Sequence, residues 1–538
     1  MPSPDPAIPI VTDQTDTAPR GATGYRRLAG NTVATLVGRS AAIVLALILS
    51  TVLFRTLGRQ RFGLWSLFAF LVGYSALIDF GLSAAVERHV AYLKAHGRTA
   101  EVPGTVSQAL LLVLIVAGGL QVLVMTAAYV LDAWLGSPVP LDVLRGLRAL
   151  PLSLALTTGA LVVGSGLSGL QRMVPLYAWR TGGMAVGTAA VATAALAGVQ
   201  RLDVLLVAYA VGAPVAAAGQ WWSLHRELPP AGRRVAGAGF WRWHGPTLRQ
   251  LVQFGGVLQV ATIGPMCAEY AFRLVVSQRF GVEYAGIYDL AARAALGLRS
   301  LASALFVVMV PFGVRLLATA DRVQASRLIR LAVKYTALFM LPSSALLFIV
   351  SDPAVHWWLG AGQGATQVAA TLRPLVVLHA LVSLTVPMAM LGRSAGKPVP
   401  EAVTTWAGVV VGLGISVIAP HFLGAVILFA TAPLAAGCAL WAWLAGRLAI
   451  RFDGGRDLLA VTAVTVAGGA ASVAAQHLTA WGGGTPTSGA LAAVVAGGAV
   501  ALASTRALAL VGPRERTLFM SLARPTEGSS PSPGGGTP

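Results

Sequence analysis

Seven ionisable side chains fall inside long apolar stretches of this 538-residue chain: Arg39, Asp79, Glu269, Arg273, Asp289, Arg293 and Arg299. A charge in an apolar, low-dielectric setting is costly, so such residues mark ligand sites, ion paths or internal ion pairs. Glu269/Arg273 and Asp289/Arg293 are acid-before-base pairs four residues apart, which on a helix share a face and can neutralise each other. Arg39 and Arg299 have no acidic residue three or four positions away. Either they meet an acid from another helix, such as Asp79, or they leave positive charge in a cavity. A guanidinium fork binds phosphate oxygens bidentately, so Arg39, Arg273, Arg293 and Arg299 are the candidate ligands for an anionic head group. Asp79, Glu269 and Asp289 are candidate charge partners. A carboxylate in low dielectric also exchanges protons, which makes Asp79 a candidate site for a coupling H+ or Na+.

The composition says what must position these groups. The chain is 56% hydrophobic and 11% charged, with mean hydropathy +0.73. A water-facing surface needs about a quarter charged residues, so a soluble domain is excluded, and the apolar content excludes disorder. The expected class is an all-α polytopic membrane protein, because a spanning helix satisfies its backbone groups internally and needs about 20 apolar residues. About fourteen such segments are legible. Twelve lie between Asn31 and Leu448, six on each side of a basic linker, and a final Ala/Gly-rich pair lies within 449–523. The expected order is a cytosolic tail (1–30), an N-lobe (31–224), a basic linker (225–247), a C-lobe (248–448), the terminal pair (449–523) and a second tail (524–538). With the N-terminus inside, about 27 of the 39 Lys and Arg fall on the cytosolic side, about 8 on the other and about four within spans. Both termini are therefore expected in the cytosol, with the chain crossing the bacterial inner membrane many times.

The two halves repeat at an offset of 223 residues. Gly58 corresponds to Gly281, Gly63 to Gly286, Leu67 to Leu290, Pro151 to Pro374, Gly169 to Gly392 and Pro175 to Pro398. Two pseudo-repeated six-helix lobes in the same orientation are a known transporter plan, rocking about a shared cavity. Prolines inside spans (Pro214, Pro265, Pro342, Pro387, Pro433) supply bends or are tolerated kinks.

Other chemistry is missing. The string Gly392 to Lys397 lacks the spacing of a nucleotide loop, and the GxGxxG at Gly164–Gly169 lies in a membrane helix with no preceding strand. No nucleotide, nucleic acid or metal is expected, since no cluster of His, Cys, Asp and Glu has ligand spacing. His379 stands alone in its span as a core histidine. Cys267 and Cys438 sit inside spans and read as buried thiols. The loops opposite the cytosol are short and hold no close carboxylate pair, which disfavours catalysis.

The segment LGRQRFGLW (Leu57 to Trp65) followed by IDFGLSAAVERHVA (Ile78 to Ala91) resembles the opening of the polysaccharide transporters, or O-antigen flippases, of the multidrug/oligosaccharidyl-lipid/polysaccharide exporter superfamily. Gly58, Gly63, Asp79, Gly81 and Arg88 carry the likeness. It implies two lobes in a V, as in the multidrug (MATE) exporters, around a central cavity. It further implies alternating-access movement of a lipid-linked oligosaccharide to the outer leaflet. The implied cargo is an undecaprenyl-pyrophosphate-linked glycan, whose head would suit Arg39, Arg293 and Arg299. The fourteen-span count is also similar to the lipid II flippase branch. There Arg39 would match a first-span cavity arginine, and Arg293 or Arg299 an eighth-span one. The expected protein is a non-enzymatic flippase, working as a monomer among membrane lipids without a cofactor. An ion-coupled multidrug/cation antiporter of the same fold and a polytopic glycan-assembly enzyme are the alternatives.

Overall fold

The computed structural model describes residues 22–73, 81–135, 141–228, 264, 266–304, 322–360, 362–394, 399–448, 452–508 and 510. Asp79, Pro265, most of the basic linker, residues 1–21 of the first tail and all of the second lie outside them. Among the described residues there is no strand, and ten helices are long and apolar enough to cross a membrane.

The first half is built from α1 (Ala22–Gly73), α2 (Leu82–Ala95), α3 (Val102–Leu135), α4 (Leu141–Gly169), α5 (Met173–Leu196), α6 (Leu202–Ala210) and α7 (Gly212–Glu227). The second comprises α8 (266–279), α9 (Val282–Ala304), α10 (Arg322–Ile349), α11 (Ser351–Leu359), α12 (Gln363–Ser394), α13 (Val399–Val417) and α14 (Phe422–Leu448). A terminal pair follows, α15 (Gly455–Trp481) and α16 (Pro486–Ala507).

The repeat is visible in the backbone. Gly58 breaks α1 with φ 73°, and Gly281, 223 positions on, has φ 107° between α8 and α9. Both lie in the left-handed region that suits glycine, so both halves turn from their first to their second span at a residue without Cβ. Gly81 (φ 70°) caps α2 in the same way. The second span is thus a broken helix rather than the single run expected at 63–93. The sixth span divides into α6 and α7, where Pro214 cannot donate to the Ala210 carbonyl. The short α11, ended by Gly360 (φ 91°), was not expected from hydropathy.

The halves join at one end and part at the other. At the Gly58 end one buried apolar cluster is continuous across both, from Leu53, Phe62 and Trp65 through Leu150 to Phe272, Leu290 and Val426. At the opposite end the cores are separate: Leu82, Val90, Val106, Leu167 and Leu224 in the first half, Ile329, Val333, Met388 and Leu444 in the second. Helix α1 carries the main contact between halves, packing along α9 and touching α11. The closest approach is at Gly63, where an added Cβ would lie 2.1 Å from the Val282 carbonyl oxygen. A Cβ on its repeat partner Gly286 would lie 3.2 Å from the Gly63 Cα. The pseudo-twofold axis therefore passes between two related glycines. Polar contacts flank them. Arg55 donates to the carbonyls of Trp358 (3.0 Å) and Leu359, Trp358 Nε1 donates to the Leu47 carbonyl at 3.2 Å, and Arg59 donates to Gln367 at 2.6 Å.

The terminal pair packs through Gly468, Ser472 and Gly497 and docks on α10, where Arg330 pairs with Asp457 at 2.6 Å. Cys267 and Cys438 are exposed, contrary to the expectation of burial. A lipid-facing surface is itself apolar, so an apolar neighbourhood in the sequence does not imply the interior.

Gly63→Ala forces the tightest contact between the halves apart. Overpacking of this kind costs about 1–3 kcal/mol. The purified variant is expected to melt several degrees below the parent, whereas Gly118→Ala, with open space around its Cβ position, melts at or above it. Equal melting of the Gly63 variant and the parent would reject the seam.

Candidate functional site: a charged cavity between the halves

Beneath the Gly63 contact lies a cavity of about 310 Å³ with contributions from both halves. One wall is α1, α5 and α6, with Ala46, Ser50, Trp65, Phe70, Thr188 and Tyr209; it carries no charge. The other is α8 and α9, with Arg273, Asp289, Arg293 and Ser300. The repeat offset places these walls in correspondence. Arg273 is equivalent to Ser50, Asp289 to Ser66 and Arg293 to Phe70. A duplicated helix pair has become charged in one copy and uncharged in the other.

The two i,i+4 pairs form a single network. Arg273, 2% exposed, donates to Glu269 Oε2 at 3.0 Å and to the Glu269 carbonyl at 2.9 Å. Its other terminal nitrogen lies 3.3 Å from Asp289 Oδ1. Asp289, equally buried, accepts from Arg293 Nε at 2.7 Å. The Tyr288 hydroxyl donates to Glu269 at 2.9 Å. The Arg273 guanidinium also lies over the Phe70 ring, 3.9 Å from its centroid and belonging to the other half. Two arginines and two carboxylates balance, so the network itself is neutral.

Arg293 is the member offered to the cavity. Its Nε is fixed by Asp289 and its side chain is 29% exposed. Its terminal nitrogens make no protein hydrogen bond among the described residues, which leaves a guanidinium edge for an oxyanion. Arg39 lies one turn below Ile43 and donates to the Ser300 carbonyl at 3.4 Å, so the first and eighth spans do meet there. Neither Arg39 nor Arg299 is part of the cavity wall; Arg299 lies within electrostatic reach of His379 on α12. Both are half-buried. Asp79 is outside the described residues. Arg88 is exposed on α2, while Gly58, Gly63 and Gly81 act through the backbone. Among the described residues no group of His, Cys, Asp and Glu could hold a metal ion.

Sequence reasoning missed Phe70, Tyr288, Tyr209 and Trp358. Tyr288 precedes Asp289, and Phe70 is the repeat equivalent of Arg293, so the offset held a signal for both. Trp358 had none, because α11 itself was not anticipated.

A sequence comparison with curated proteins finds no match. Solved structures do share the fold. An inward-facing multidrug resistance MATE family transporter of the MOP superfamily matches with TM-score 0.64 and 13% identity, over 76% of this chain and 94% of its own. The lipid II flippase MurJ in an inward closed conformation matches with TM-score 0.62 and 12% identity, over 91% and 99%. A MOP superfamily transporter from Pyrococcus furiosus, described as having a binding pocket of reverse polarity, gives TM-score 0.55 and 12% identity, over 80% and 96%. These structures are of transporters and a flippase. Of these three, the match to the lipid II flippase covers the most of this chain. A family model described as polysaccharide biosynthesis protein matches residues 52–362, more than half of the chain. The chain is a multi-pass membrane protein with the fold of these transporters and belongs to this polysaccharide biosynthesis family.

Proposed function

We propose that the protein flips an isoprenoid-pyrophosphate-linked oligosaccharide across the bacterial inner membrane for surface polysaccharide assembly. The observation that carries this is the Arg293 edge, held open to a cavity between two lobes of a polysaccharide-family transporter. The pyrophosphate head engages Arg293, with Arg39 and Arg299 attracting it at the entrance. The uncharged wall of Ser50, Thr188 and Tyr209 faces the sugar.

The separated cores lie at the end that bears Arg172, Arg226, Arg330 and Lys334. Under the positive-inside rule this end is cytosolic, so the described state opens inward, ready to load from the inner leaflet. The chain acts alone, one pair of lobes forming one cavity. A coupling H+ or Na+ would exchange at Asp79 or at Glu269, the latter being 19% exposed where Asp289 is closed between two arginines. A cation antiporter is less well supported, because Asp289 in the cavity wall and Glu269 beside it already hold guanidinium partners.

Cells lacking the protein are expected to accumulate lipid-linked glycan and lose surface polysaccharide; unchanged amounts of both reject the flippase reading. In proteoliposomes, Arg293→Gln removes a charged hydrogen-bond donor worth about 1.5–3 kcal/mol, which lowers cargo affinity on the order of tenfold to a hundredfold. Transport at parental affinity would remove Arg293 from the site. The orientation is tested separately. With Cys267 and Cys438 replaced by Ser, a cysteine placed at position 17 or 530 should react with an impermeant maleimide only after the cells are opened. Labelling of intact cells would invert the topology.

A further inference from the structure

The Arg273 guanidinium serves two structures at once. Through Asp289 it belongs to the site that presents Arg293, and through Phe70 it belongs to the contact between the halves. Phe70 is 4% exposed, and its ring also stacks on Tyr270 of α8, 6.1 Å between centroids. Both contacts cross from one half to the other at the cavity wall, so they must part if the halves separate there.

The distances show how Asp289 divides its charge. It holds Arg293 at 2.7 Å and Arg273 at 3.3 Å, so the nearer partner has the stronger bond. A pyrophosphate carries more negative charge than one carboxylate and can grip a guanidinium by two oxygens. When it engages the terminal nitrogens of Arg293, it competes with Asp289 for the guanidinium's charge, which weakens the Nε bond and leaves Asp289 freer to pair with Arg273. A desolvated guanidinium prefers a second short carboxylate contact to an aromatic face.

We propose that Phe70 is a coupling residue: anion binding at Arg293 draws Arg273 toward Asp289 and off the Phe70 ring, which loosens the contact between the halves. The inference rests on the anionic-head reading above. It explains why the repeat position of Arg293 is an aromatic residue in the other half, since the contact needs one charged and one π partner. Asp289 and Arg273 are positioning residues in this scheme, and Arg293 is the member of the network that touches the pyrophosphate.

The test is a spin-label distance between the two halves at the Gly58 end, on the full chain in nanodiscs. Labels are placed at Ala197→Cys and His421→Cys, both exposed, with Cys267 and Cys438 replaced by Ser. The probe is farnesyl pyrophosphate, and its binding is measured in parallel. The parent should hold a short distance alone and shift toward a longer one with the probe. Phe70→Leu, which keeps bulk and removes the ring, should show the longer distance without probe, its open-to-closed ratio raised on the order of tenfold. Phe70→Tyr should restore parental behaviour. Arg293→Gln should stay closed with or without probe.

Binding to the parent with no difference between Phe70→Leu and the parent overturns the coupling role and leaves the anionic-head reading intact. Failure of the probe to bind the parent overturns both. A Phe70→Tyr variant that opens like Phe70→Leu also overturns the proposal, because loss of close packing would then explain the effect.

Discussion

A buried guanidinium must be compensated, and the interior of this protein is arranged around that need at Arg273. Left alone in low dielectric, the charge would cost several kcal/mol. Glu269 on the same helix and Asp289 on the next supply the countercharge, with the Phe70 face and the Tyr288 hydroxyl completing the surroundings. This pairing fixes the register of α8 against α9. It also fixes Asp289, and through Asp289 the Nε of Arg293. Buried ion pairs are weak sources of stability, and apolar replacements of equal volume commonly do as well. A network of four charged residues, three of them at the wall of a membrane cavity, is therefore better explained by what it holds in place for a ligand.

Duplication explains the rest of the layout. Two copies of a helical turn, broken at Gly58 and Gly281, meet face to face at Gly63 and Gly286. Absence of side chains brings the backbones together there, and the continuous apolar cluster around them makes that end a hinge-like seam. Symmetry at the seam coexists with asymmetry below it. The same helices that are equivalent in backbone present Phe70 and Ser50 on one side, Arg293 and Arg273 on the other. A symmetric scaffold can rock between two states, while an asymmetric lining gives the cargo one charged and one uncharged wall.

Much of this was legible in the sequence, for definable reasons. Apolar length reports spanning helices directly, so segments such as Phe422–Leu448 coincide with their helices. The 223-residue offset found the two turning glycines because left-handed backbone constrains residue type. The i,i+4 spacing found both ion pairs. It could not show that they join, because Arg273 to Asp289 is a contact between helices. Nor could it show that Phe70 reaches across from the other half. Break points such as Val211–Gly212 and the α11 turn were hidden because hydropathy continues through them. Burial of the cysteines was misjudged because hydropathy cannot distinguish lipid from protein interior.

The central claim is that the cavity recognises an oxyanion through the Arg293 edge. Its most direct measurement compares the affinities of the full-length protein in nanodiscs for a polyprenyl pyrophosphate and for the same polyprenyl alcohol. The account predicts that the pyrophosphate binds more tightly by tenfold or more, with an advantage that shrinks as salt rises. Equal affinity for the two at low salt would contradict it.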